Sequence, residues 1–202
     1  MSHKNAWHFV GKTLRDGRPI PEDGEWLEHD GELVMCESGL HASERIIDAL
    51  SYAPGNMICR VRVAGTIIED DDKMVGSKRK ILWRIDGDAV LQAFSRWAAL
   101  QVVHLWDAPD VVKEYLRTGR EEIRNAAWGA AWGAALGAAL GAARSAAWGA
   151  AWGAAWGAAR DAALGAALGA ALGAARDAQE KQLLKMIGEA RNGKTEWIFE
   201  EA

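Results

Sequence analysis

Between Asn125 and Asp177 the chain repeats a tetrad, Ala-Ala-Trp-Gly or Ala-Ala-Leu-Gly, closed at intervals by Ala-Ala-Arg and then Ser145, Asp161 or Asp177. A fixed internal period defines the architectural unit before any single residue does. In a helix four residues overshoot one full turn by roughly 40°, so bulky side chains spaced by fours share a face only briefly. Trp148, Trp152 and Trp156 would spread over about 80°, inside the stripe of a core-facing helix. Unbroken, the stripe would circle the axis in about nine tetrads, which no single partner could follow.

The interruptions fit short helices. Arg144, Arg160 and Arg176 each close an apolar run, and the Ser or Asp that follows is a good N-cap; Arg124 and Asn125 open the array in the same way. Glycine costs about 1 kcal/mol relative to alanine in a helix interior, so Gly129, Gly133, Gly137 and Gly141 call for close helix contact in compensation. The preferred reading is a stack of short antiparallel helices. One long oligomerising helix, a silk-like β arrangement and a membrane insertion are the alternatives. Against the last, the runs bounded by Arg160 and Arg176 fall short of the roughly 20 residues a span needs, and arginine in lipid is costly.

The array holds four arginines against two aspartates, whereas the whole 202-residue chain has a net charge of −4. No basic stripe exists for duplex binding, so nucleic acid is not expected as a partner. The segment Met1-Ser-His-Lys-Asn lacks the apolar core of a signal peptide, and the only cysteines, Cys36 and Cys59, then read as reduced thiols in a cytoplasm.

Residues 1–86 read as an α+β head. Strands are predicted at Ala6–Val10, Glu32–Cys36, Met57–Ile68 and Lys80–Ile85, with Cys59, Val61 and Val63 alternating onto one face. Ser43 is the expected N-cap of a helix running to about Ala53. Residues 87–123 form a helical connector, with Pro109 near one helix start and Thr118-Gly119 as a stop. Residues 124–177 are the repeat. In residues 178–202 an amphipathic helix over Gln179–Ala190 precedes an acidic tail whose Trp197, Ile198 and Phe199 are expected to dock, with an edge strand as one form.

The run Leu33-Val-Met-Cys36-Glu37-Ser-Gly39-Leu40-His41, the strand Cys59-Arg-Val-Arg-Val-Ala-Gly65 and His104-Leu-Trp-Asp-Ala-Pro-Asp-Val-Val resemble an uncharacterised domain family of bacteriophages and prophages with Ala-rich short-period tails. That resemblance implies provenance and architecture, not chemistry. A second likeness lies in Gly39-Leu40-His41-Ala42-Ser43, a helix ending at Tyr52 and the strand Met57–Val63. It is similar to the corresponding element of ADP-ribosyltransferase folds. The likeness implies a ribose-binding place for His8, a nicotinamide-stacking place for His41, and Glu69, by position alone, for the catalytic acid.

Each candidate has a plainer reading. His41 before a helix reads as a histidine hydrogen-bonded to backbone. Cys36, His41, His8 and His29 lack paired zinc-ligand spacing, and Glu69-Asp70-Asp71-Asp72 reads as a solvated turn with Lys78-Arg79-Lys80 balancing its charge. Trp128, Trp132, Trp148, Trp152 and Trp156 read as bundle core, or as a stacking surface for a partner. Together these residues predict a phage-type, cytoplasmic, non-enzymatic binding or assembly protein: an α+β head carried on Ala/Gly-rich helices. His8, His41, Ser43, Tyr52 and Glu69 are its candidate ligand residues, and no cofactor or metal is called for. Expected partners are a second copy through the repeats and a host bacterial protein, without a membrane. An ADP-ribosyltransferase-like enzyme or nicotinamide-dinucleotide binder is the alternative.

Overall fold

The computed structural model describes residues 3–14, 17–105, 107–132, 134 and 157–200. The chain forms two compact units, one of residues 1–91 with 179–195, the other of residues 92–178 with 196–202.

The first unit is α+β. Strand β1 (His3–Val10) pairs antiparallel with β4 (Met57–Glu69), and β4 with β5 (Met74–Asp86). The other edge of β5 takes two short strands, β2 (Trp26–Glu28) and β3 (Leu40–Ala42). Ser43, just beyond β3, exchanges two backbone hydrogen bonds with Trp7 of β1, at 2.7 and 3.0 Å. The circuit β1–β4–β5–β3 thereby closes on itself, and register breaks after Arg60 and Ala64 supply the bending that closure needs.

Alternation along these strands sorts the side chains. Ala6, Val10, Ala42, Cys59, Val61, Val63, Met74 and Ile81 form one buried cluster. Cys59, Val61 and Val63 are all fully buried, as their alternation in the sequence predicts. On the opposite face Trp7 meets Trp83 edge-on at 5.6 Å, and the Arg191 guanidinium lies 4.0 Å from the Trp83 ring centre.

The helix after Ser43 is shorter than its sequence predicts: α1 spans Ile46–Ser51. Ser43 is held in the bridge to Trp7 and so cannot serve as N-cap. A carboxylate remote in sequence takes that place, Glu180 accepting the amides of Ile46 at 3.1 Å and Ile47 at 2.9 Å. Residues Glu32–Cys36 do not form a strand. They turn back instead, Val34 and Ser38 exchanging amide hydrogen bonds at 2.9 Å, and β3 begins only at Leu40.

The second unit contains most of helix α2 (Asp88–Leu100), α3 (Asp110–Thr118) and a helix α4 over 124–132. Gly119 ends α3 in the left-handed conformation, φ 68°, its amide returning to the Tyr115 carbonyl. The tail docks without forming a strand. Trp197 is buried, and the Phe199 amide donates to the Arg117 carbonyl at 3.0 Å. Arg96 donates to the carbonyls of Leu116 and Trp197 and lies over the Phe199 ring.

Helix α5 runs without interruption from Gly157 to Arg191. Arg160-Asp161 and Arg176-Asp177 lie inside it, which corrects the expectation of a break at each arginine. A cap residue permits a helix end but does not impose one, and the flanking alanines, the best helix formers, offer none of the roughly two to eight loop residues a hairpin needs. The junction at Arg144 lies outside the described residues.

Candidate functional site

Inside the first unit a cleft of about 1020 Å³ is lined by β1, β3, β5 and the loops around them. β1 places His8 on the same face as Ala6 and Val10, opposite Cys59 of β4. Burial, the Arg79 charge and His41, in that order, hold His8 well below the ordinary histidine value, so its imidazole is neutral. No hydrogen bond to its ring is made among the described residues. Burial pushes the Cys59 thiol up to about 11, leaving it an inert core group.

β5 carries the residue that sequence reasoning passed over. Lys78, Arg79 and Lys80 read as a run of solvated charge, but a strand sends alternate side chains to opposite faces. Lys78 pairs with Glu28 at 2.7 Å and Lys80 lies over the Trp26 ring at 4.8 Å. Arg79 turns the other way, in phase with buried Ile81, and is only 7% exposed. It lines the cleft and donates to the His41 carbonyl oxygen. That alternation, Arg79 with Ile81, was the signal available in the sequence.

His41 fixes the adjoining wall. Its Nε2 accepts the Cys36 amide at 2.9 Å and its Nδ1 donates to the Gly39 carbonyl at 3.2 Å, which sets the Nδ1-protonated tautomer. Cys36 at φ 68° and Gly39 at φ 112° are the two left-handed residues that let the chain turn back tightly enough for this bracing. A side chain at Gly39 would meet Val75 at 2.4 Å. The Cys36-Glu-Ser-Gly39-Leu-His41 motif thus has a physical basis as a loop stapled by its own histidine.

Ser43 and Tyr52 line the same cleft. The Tyr52 hydroxyl donates to Asp72 at 2.6 Å and accepts from Lys73 at 3.2 Å. The hydrogen bond to Tyr52, then one to Cys36, holds the Lys73 ammonium above its ordinary range. Glu69, assigned to the site by position alone, is elsewhere: it pairs with Lys4 at 2.5 Å and does not line the cleft. No residue of β4 is among the residues that line the cleft, and Glu69 is the last residue of that strand. Among the described residues no group of three or more His, Cys, Asp or Glu could hold a metal.

Of the five array tryptophans, Trp128 and Trp132 are described. They are 72% and 66% exposed and stack on each other at 6.1 Å, where a core position was expected. At a spacing of four on one helix the two rings lie close enough to stack on each other. Trp148, Trp152 and Trp156 lie outside the described residues.

Residues 4–93 match a family model described as a domain of unknown function, DUF7666. All the cleft-lining residues, Trp7 through Arg79, fall inside this DUF7666 match. Residues 123–160 and 159–180 match a glycine-zipper domain. No curated protein and no solved structure matches the chain. Among the described residues, no helix is long and apolar enough to cross a membrane.

Proposed function

We propose that the chain is a phage-type, cytoplasmic accessory protein whose DUF7666 segment is a non-enzymatic binding module. The cleft is its recognition site, and the glycine-zipper-like repeats act as scaffold or self-association element. The observation that carries this reading is the convergence of His8, His41, Ser43 and Tyr52 on one concave site of about 1020 Å³, a size and shape suited to a small ligand. The groups that chemistry would need are otherwise engaged: backbone holds both nitrogens of His41, Glu69 is tied to Lys4, and the Cys59 thiol is protonated.

The same convergence favours one ligand class for a first trial, a nicotinamide dinucleotide, because His8 and His41 are the residues that the transferase likeness assigns to it. Calorimetric titration with that dinucleotide, His41→Ala as control, tests the proposal. Heat and a raised melting temperature without turnover support a binder. Turnover favours the transferase-like enzyme, and neither heat nor a melting shift removes the dinucleotide. Capture from a bacterial lysate, with the exposed Trp128–Trp132 pair replaced by alanine as control, tests the host-protein partner.

A further inference from the structure

The structure assigns Arg79 as an anion-binding residue on the wall of the cleft, and we infer that the ligand is phosphate-bearing and of nucleotide size. This deepens the reading of the cleft as a recognition site and rests on it. Arg79 is more than nine-tenths buried, yet it makes no ion pair with any described residue. Among the described residues its one hydrogen bond goes to a neutral carbonyl, that of His41. A buried cation is normally matched by a carboxylate, because leaving it unmatched is costly. Here Arg79 lines a cleft instead, and a guanidinium fork is the group best shaped to meet an oxyanion.

Three further observations narrow the ligand. Among the described residues Lys12, Arg18 and Lys73 line the same cleft with one acid, Glu37; Lys73 is paired with Asp72 at 3.7 Å, and the balance stays positive with Arg79 included, as suits a phosphate. The volume of about 1020 Å³ is far beyond a bare anion and comparable with a nucleotide. His8, neutral beside Arg79, and the Ser43 hydroxyl, which makes no hydrogen bond among the described residues, add polar groups to the same cleft.

The test compares adenosine 5′-diphosphate, adenosine and inorganic phosphate on the full chain by calorimetry and thermal shift. The diphosphate is expected to bind roughly 10- to 100-fold tighter than adenosine, as hydrogen bonds to a charged group would give, and inorganic phosphate to compete with it. Arg79→Met, with its circular dichroism unchanged, should abolish that preference. Should Arg79→Met fail to fold, Arg79→Lys keeps the charge but loses the fork, and its affinity for the diphosphate should fall about tenfold. Equal affinities for diphosphate and adenosine, no binding of either at millimolar concentration, a preference that survives in Arg79→Met, or an unchanged affinity in Arg79→Lys overturns the inference. Equal binding that His41→Ala removes would leave the cleft as a recognition site and sink only its anion specificity.

Discussion

Arg79 donates a hydrogen bond to the carbonyl oxygen of His41, tying the centre of β5 to β3 with a buried cation that has no carboxylate partner among the described residues. Burial draws the Arg79 guanidinium down to about 10, still well above neutral pH, so the charge persists in the folded chain. Breaking a buried salt bridge by removing one partner costs about 3–5 kcal/mol because the other charge is left buried and unpaired, and Arg79 has no carboxylate partner among the described residues to leave behind. Arg79→Met should therefore change unfolding stability by no more than about 1 kcal/mol, measured by urea denaturation. A loss of several kcal/mol would mean that the arginine serves the fold rather than a ligand.

Glu180 of α5 stands where a local N-cap would be, receiving two amides of α1. Loss of an N-cap typically costs about 0.5–2 kcal/mol. Glu180→Ala should destabilise the first unit by about that amount, and Glu180→Gln, which keeps one acceptor oxygen but sets an NH2 against the second amide, should recover only part of the loss. Equal stability of both variants with the parent, read by chemical denaturation, would show that α1 needs no remote cap.

Two glycines should respond in opposite directions. Gly188 lies exposed within α5 with open space where a side chain would be, so Gly188→Ala should stabilise by about 0.5–1 kcal/mol. Gly39 combines φ 112° with Val75 at 2.4 Å, and Gly39→Ala should cost several times that gain and displace the His41 staple. Thermal melts of the two variants decide both signs.

His8 gives the fold an acid sensitivity. Its folded value lies well below the ordinary 6.5, first through burial, then through Arg79 on β5 and His41 on β3. The native imidazole resists a proton that the unfolded chain accepts. Stability is thus fully present above about pH 6.5 and is lost as pH falls through the window below it, with a slope approaching the one-proton limit of about 1.4 kcal/mol per pH unit. Melting temperatures of the parent and His8→Gln, followed from pH 7.5 down to 5, should converge towards the acid end. Parallel curves would show that His8 titrates normally.

Much of the head was readable from alternation. Ala6–Val10 and Met57–Ile68 lie within strands β1 and β4, and the buried face of Cys59, Val61 and Val63 follows from their spacing. What escaped sequence reasoning was set at long range. The closure of the sheet by Trp7 and Ser43 spans 36 positions, and Ser43 looked like a cap because its local context cannot show that its backbone is already paired. Glu180 likewise caps a helix 134 positions away. Arg79 was hidden by its charged neighbours, although the period of two that marks Ile81 as inward marks Arg79 as well. The arginine junctions failed for a different reason: stop signals set among alanines compete with the strongest helix propensity there is, and at Arg160 and Arg176 propensity prevails.

The most direct test of the cleft as a recognition site is a chemical-shift titration of isotope-labelled protein with nicotinamide dinucleotide. Saturable shifts should concentrate on His8, His41, Ser43 and Arg79, with Tyr52 following at the rim. Shifts confined to residues 124–132 or 179–200, or none at millimolar dinucleotide and diphosphate alike, would contradict it.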